Sequence, residues 1–192
     1  MDSEPIALVQ FPLGQELAGD AKRTSELEER IAEIFKLLRR PVFRYVVGML
    51  GDSQGAQDVT QEVFLRLYSS VRKGETISNC RSWVFHVAYR LAMDMLRVKG
   101  KVELMEASGL ALALDRSVDP GLDPERRLLE REQNDRLLSA MSRLSPQERR
   151  CMNLRAEGLS YGEIASVLGI RSSSVGNFLA RGITKIKKAT HD

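Results

Sequence analysis

A chain of 192 residues with 43% hydrophobic and 29% charged residues can hold one globular domain or two small ones, and it contains no apolar run of membrane-spanning length and no secretory pattern at its start. The formal charge of +3 and a pI near 9.0 suit a soluble protein that meets a polyanion. Cys80 and Cys151 stand far apart without metal-ligand spacing, so neither a disulfide framework nor a metal site is expected, and a reducing cytoplasm is the expected location.

Residues 1–24 mix Pro5, Pro12, Gly14 and Gly19 with scattered apolar residues and read as a flexible N-terminal arm, in which 6–13 is apolar enough to dock. Ser25 with Glu28 forms a capping box and opens a long helix. Its inward side carries Leu27, Ile31, Ile34, Phe35, Leu38, Val42, Tyr45 and Met49. Pro41 inside it predicts a kink or a break. Gly51 ends it. A second helix starts at Asp52 or Ser53 and runs to about Ser69. Ala56, Val59, Val63 and Leu67 form its apolar stripe, with Phe64 and Tyr68 alongside. Asp58, Gln61, Glu62 and Leu65 lie at i, i+3, i+4 and i+7 and share another face.

A polar loop, 71–77, contains Gly74. Ser78 is expected to cap a third helix that ends near Val98, before Gly100. Val84, Val87, Ala88, Leu91 and Met95 make its core side, and His86, Tyr89, Arg90, Met93 and Arg97 its other side, with Trp83 and Phe85 near its start. Between Ser78 and Lys101 there are five Lys/Arg and one Asp. Cations interleaved with aromatics suit single-stranded nucleic acid, since bases stack on rings while cations track phosphates. Trp83 taken alone reads as core.

Residues 102–123 lose the apolar periodicity and read as a linker. Asp123 and Pro124 then open another helix through about Ser142, carrying Leu128, Leu129, Leu137, Leu138 and Met141. The stretch 144–188 holds three helices. Ser145 caps the first, with Pro146 at the first helical position, Glu148 closing a capping box and Gly158 ending it. Ser160 and Glu163 form a second box, for a short helix with Ile164, Ala165 and Leu168 inward, stopped by Gly169. Ser172 is expected to cap the last helix, whose stripe is Val175, Leu179 and Ile186, with Phe178 and Gly182 beside it. A short helix, a tight glycine turn and a longer helix make a helix-turn-helix, whose last helix would enter a DNA major groove. Nine Lys/Arg against four Asp/Glu from Arg143 to Asp192 favour a phosphate backbone.

The segments 56–68 (AQDVTQEVFLRLY), 81–97 (RSWVFHVAYRLAMDMLR) and 144–175 (LSPQER…LSYGEIASVLGIRSSSV) together resemble bacterial RNA polymerase sigma factors of the extracytoplasmic-function group of the sigma-70 family. The resemblance covers about 25–188. It implies an all-α fold of two small helical domains: sigma domain 2 at 25–101, a linker at 102–123, and at 124–192 sigma domain 4 with the helix-turn-helix. It implies a nonenzymatic subunit without cofactor or metal. Its partners are core RNA polymerase and promoter DNA, with room for an anti-sigma factor and without membrane insertion.

On that resemblance Asp58, Gln61, Glu62, Phe64 and Leu65 belong to the surface that grips the polymerase clamp helices. Arg81, Trp83, His86, Tyr89, Arg90, Arg97 and Lys99 belong to the part that captures the melted minus-ten strand. Arg155, Arg171, Ser172, Ser173, Ser174, Asn177, Arg181 and Lys185 would meet the minus-thirty-five element. Three departures stand out: Arg90 where the family usually has Asn, few basic residues after Val175, and an arm longer than a minimal member needs. Two rivals are a stand-alone regulator of the LuxR type, whose helix-turn-helix is similar, and an adaptor that has lost DNA binding. An enzyme has little support, since His86 and His191 are the only histidines and no phosphate-binding glycine loop is present.

Overall fold

The computed structural model describes residues 21–98 and 139–191, with the side chains of 27–98 and 139–188. The arm, the linker, the cap expected at Asp123 and most of the helix expected after it lie outside these residues. Among the described residues the regular elements are helices: α1 (Ala21–Leu50), α2 (Ser53–Arg72), α3 (Cys80–Val98), α4 (Pro146–Ala156), α5 (Tyr161–Leu168) and α6 (Ser172–His191). Residues 139–142 are helical too and bury Ala140 and Met141.

Helices α1, α2 and α3 pack on one another. The predicted stripe of α2 is buried as read: Ala56, Val59, Val63 and Leu67 all face inward. Asp52 is its N-cap and accepts from the Gln54 amide at 3.0 Å. Helix α1 begins ahead of Ser25 and runs on through Pro41, where the sequence predicts a kink or a break. Losing one ladder bond there costs about 3 kcal/mol. Val42, Val46, Met49 and Leu50 follow directly and are buried to 2% exposure or less. At about 1.5–3 kcal/mol for each such side chain, their burial outweighs the proline.

The third helix departs most from its reading. Asn79, not Ser78, caps it: its Oδ1 accepts from the Ser82 amide at 2.8 Å and its carbonyl from the Trp83 amide at 3.0 Å. Met93, placed on the outer side, is buried, as are Phe85, Ala92 and Leu96, whereas Val87, Leu91 and Met95 are half-buried. Likewise 71–77 is not wholly a polar loop, since Val71 and Arg72 belong to the last turn of α2, with Val71 in the core, and Ile77 is buried.

In the C-terminal unit both predicted capping boxes form. Ser145 Oγ accepts from the Glu148 amide at 3.3 Å and Glu148 Oε2 from the Ser145 amide at 2.9 Å. Ser160 and Glu163 repeat the pattern at 3.3 and 2.8 Å. Gly169 takes φ 67°, the left-handed conformation that closes α5 and starts the turn. Val167 joins Ile164 in the core, while Ala165 and Leu168 are only half-buried. Ser172 is itself the first residue of α6. The Arg171 carbonyl takes the first amides, those of Ser174 and Val175 at 3.0 and 3.2 Å, so Ser172 is not the cap. At Gly182 a Cβ would stand 3.3 Å from Met152 Cγ, so the glycine brings α6 close against α4. The two units also touch, chiefly through α3 against α5 and, over a smaller area, α1 against α4.

Candidate nucleic-acid interface

On α2, Asp58, Gln61 and Leu65 are exposed and Glu62 is half-exposed. Leu65 keeps 56% of its surface in water. Asp58 accepts from Gln54 Nε2 at 3.3 Å, and Glu62 pairs with Arg66 at 2.7 Å, one turn on. Phe64 does not share this face. It is 6% exposed and meets the Phe35 ring edge-on at 4.9 Å, while Phe35, expected inside, stays partly exposed.

The α3 candidates gather beside the loop before that helix. A cleft of about 270 Å³ is lined there by Thr76, Ser78, Asn79, Ser82, Trp83 and His86, and Ser166 of α5 lines it too. Trp83 is half-buried and His86 Nδ1 lies 3.1 Å from the Val167 carbonyl oxygen. Arg81 donates to the Glu157 carbonyl, and the Tyr89 ring lies under the Arg150 guanidinium at 5.8 Å. Arg90 is exposed, and Arg97 pairs with Asp94 at 3.3 Å in water. Lys99 lies outside the described residues. Asn79, Ser166 and Glu157 were not legible as site residues, because their contacts join segments far apart in the chain.

On α6, Ser172, Ser173 and Asn177 are exposed near its start, Arg171 is exposed just before it, and Ser174 is half-buried. The cations beyond them are partly committed. Lys185 Nζ holds Glu148 at 2.7 Å, and Arg181 stands 3.8 Å from the same carboxylate and 5.0 Å over the Phe178 ring. Arg155 donates to the Leu159 carbonyl at 2.9 Å. The side chains of Ser172, Ser173 and Asn177 at the start of α6 therefore form an exposed polar surface, with the exposed Arg171 beside it.

Glu148 is 3% exposed. Burial alone would raise its pKa, but Lys185 and the Ser145 amide and hydroxyl outweigh it and hold the carboxyl below the ordinary carboxylate range. Glu163 is lowered in the same way, its burial outweighed chiefly by Ser160. A carboxyl that binds its proton less tightly when folded adds stability above its unfolded pKa and loses it as pH falls through the folded value. The urea midpoint is therefore expected to fall as pH drops below about 5, and to fall less in Glu148→Gln. Equal slopes in the two proteins would show that this carboxylate carries none of the effect. The two thiols offer no reactive centre: burial pushes Cys80 up to about 11, and Cys151 to about 11 despite the opposing charge of Arg150. Among the described residues no group of three or more His, Cys, Asp or Glu could hold a metal ion, and no helix is long and apolar enough to cross a membrane.

Two family models match the chain: sigma-70 region 2 over 34–102 and sigma-70 region 4 over 134–186. The first covers the α3 cleft and the α2 face, and leaves the LuxR-type reading without support. Among curated relatives, the extracytoplasmic-function (ECF) RNA polymerase sigma factor SigE of Mycolicibacterium smegmatis is 30% identical over 147 residues, 76% of this chain and 56% of that protein. The ECF sigma factor BldN of Streptomyces coelicolor is 28% identical over 90% of this chain and 68% of its own length. SigW of Bacillus subtilis is 23% identical over 86% of this chain and 91% of its own length. The chain thus spans little more than half of SigE but most of SigW. Among solved structures, RpoE of Bartonella quintana in complex with the anti-sigma factor NepR shares the fold at a TM-score of 0.60 and 16% identity, covering 85% of this chain and 98% of that one. CnrH in complex with the cytosolic domain of CnrY does so at 0.59 and 17% identity, covering 89% of this chain and 94% of that one.

Proposed function

The chain belongs to the sigma-70 family, in its extracytoplasmic-function group, and on that basis we propose that it binds core RNA polymerase and directs it to promoters through two separately built surfaces. Sigma factors initiate transcription without being catalysts. Domain 2, 25–101, carries the polymerase face on α2 and the minus-ten face on α3. A linker, 102–123, joins it to domain 4, 124–192, where the start of α6 reads the minus-thirty-five element. Because the RpoE structure holds NepR on the same fold, an anti-sigma partner belongs to the proposal as well.

The observation that carries this reading is the cleft at the start of α3. It offers an indole (Trp83), amide and hydroxyl groups (Asn79, Ser82) and an imidazole (His86) around a space large enough for one base. Tyr89 and Arg90 continue along the helix, one as a stacking surface and the other as an exposed cation. Where the family usually has Asn, Arg90 gives this chain a phosphate contact in place of an amide. The test is the holoenzyme carrying Tyr89→Ala and Arg90→Ala. Each lost stacking ring costs about 1–3 kcal/mol, so open complexes are expected to fall about tenfold or more while duplex binding changes little. Permanganate reactivity of the melted region at wild-type strength would remove α3 from this role.

A further inference from the structure

We propose that Glu148 is a positioning residue for DNA recognition: it holds Lys185 of α6 against α4 and off the phosphate backbone, so that α6 meets DNA mainly through neutral polar side chains. The role in recognition rests on the reading of α6 given above; the capture of Lys185 does not.

Glu148 stands in the first turn of α4 and is 3% exposed. Lys185 reaches it across the contact between the two helices, with Nζ 2.7 Å from Oε2. Arg181, one turn earlier on α6, stands 3.8 Å from Oε1 of the same carboxylate. Gly182 makes this reach short. A Cβ there would stand 3.3 Å from Met152 Cγ and 3.8 Å from Leu144 Cδ2, so the bare backbone lets α6 lie close against α4. Oε2 also accepts from the Ser145 amide at 2.9 Å. Without Lys185 the carboxylate would stay out of water with its nearest cation gone. Removing one partner of a buried charge is strongly unfavourable, whereas an ion pair at the surface returns little. Lys185 therefore stays with Glu148 when a phosphate comes near.

Counting turns from the buried Val175 and Leu179 puts Ser173, Asn177 and Thr184 opposite the core and Lys185 on the flank beside α4. For a helix lying in a major groove, outward positions meet base edges and flanking cations meet the phosphates on either side. On this flank Phe178 offers a ring, Arg181 lies 5.0 Å over that ring, and Lys185 is held by a carboxylate. Phosphate contacts supply the part of the affinity that does not depend on sequence. With that part held back, discrimination falls to Ser173 and Asn177, whose hydroxyl and amide can bond base edges. Glu148 thus makes α6 a weaker but more selective reader.

The test measures binding of the full chain to a short DNA duplex of randomised sequence over a range of KCl concentrations. Glu148→Gln keeps the capping box, which accepts either residue, and removes the charge. It should steepen the slope of log affinity against log salt by about 0.9, the share of one added phosphate contact. Combining it with Lys185→Gln should return the slope to wild type. Glu163→Gln is the control for charge alone: its carboxylate closes the second box and is bonded by Ser160 and Asn79, so the slope should not change. Lys185→Gln in a chain that keeps Glu148 should also leave the slope as it was. A slope shallower by about 0.9 in that variant would mean that the ammonium already meets phosphate, and would overturn the proposal. So would a Glu148→Gln slope equal to wild type, or a gain that survives the loss of Lys185. Arg171→Gln removes the exposed cation just before α6 and should make the slope shallower; no change there would strike the reading of α6 itself. The capture is then decided by acetic anhydride labelling read by mass spectrometry. Lys185 should react severalfold more slowly than the exposed Lys188 in wild type and at a similar rate in Glu148→Gln. Equal rates at Lys185 in the two proteins would overturn the capture, whatever the DNA does.

Discussion

Reversing both Asp58 and Glu62 to lysine is expected to weaken binding to core polymerase by at least about a hundredfold, roughly 2.7 kcal/mol, while the helical circular-dichroism signal stays the same. The two carboxylates lie one turn apart on the exposed face of α2, on either side of Gln61 and just before the exposed Leu65. Charged groups around a central apolar anchor are how such interfaces gain orientation and residence time. Inside the chain the reversal costs little. Glu62 loses its partner Arg66, an exposed pair worth a few tenths of a kcal/mol, and Asp58 gives up one long hydrogen bond. Leu65→Ala should weaken binding too and spare stability, whereas Phe64→Ala should act first on folding, because its ring sits in the core against Phe35. A titration against core enzyme measures all three. Unchanged affinity in the charge-reversed protein would remove this face from the polymerase interface.

What the sequence made legible follows how local the cause was. The boxes at Ser145 and Ser160 need only residues three apart, and both formed as read. The stripe of α2 faces one core, so one period was enough. Helix α3 is different: α1 and α2 cover one side of it and α5 another. A helix buried on two sides has no single apolar stripe, so Met93 and Met95 could not be assigned by period alone. At Ser78 and Ser172 a serine beside the helix start looked like the cap. In each case a neighbour, Asn79 or Arg171, takes the first amides instead. The Arg44–Glu157 pair spans 113 residues of sequence, and the two buried charges Glu148 and Arg149 depend on α6 and on the carbonyls of Met141 and Leu144. Nothing in local pattern marks such residues, since charged side chains are expected in water.

Phe85→Ala is expected to lower the unfolding free energy by about 3–5 kcal/mol, a large share of the roughly 5–15 kcal/mol typical of a whole protein. Phe85 has no exposed surface and is among the largest fully buried side chains described. Its ring meets Tyr45 of α1 edge-on at 5.5 Å, so it joins α3 to the part of α1 that runs on past Pro41. Truncation loses the transfer free energy of the ring and leaves a cavity between two long helices that cannot collapse onto each other freely. Trp83 and His86 stand within one turn of Phe85 on the same helix, so a loosened α3 should also blur the cleft that they line. The contrast is Leu37→Ala, on the outer side of α1 with 52% of its surface exposed, where the change should stay within about 0.5 kcal/mol. Urea denaturation followed by circular dichroism separates the two. A Phe85 variant as stable as the Leu37 variant would mean that α3 is not anchored through this ring, and the cleft at its start would then need another support.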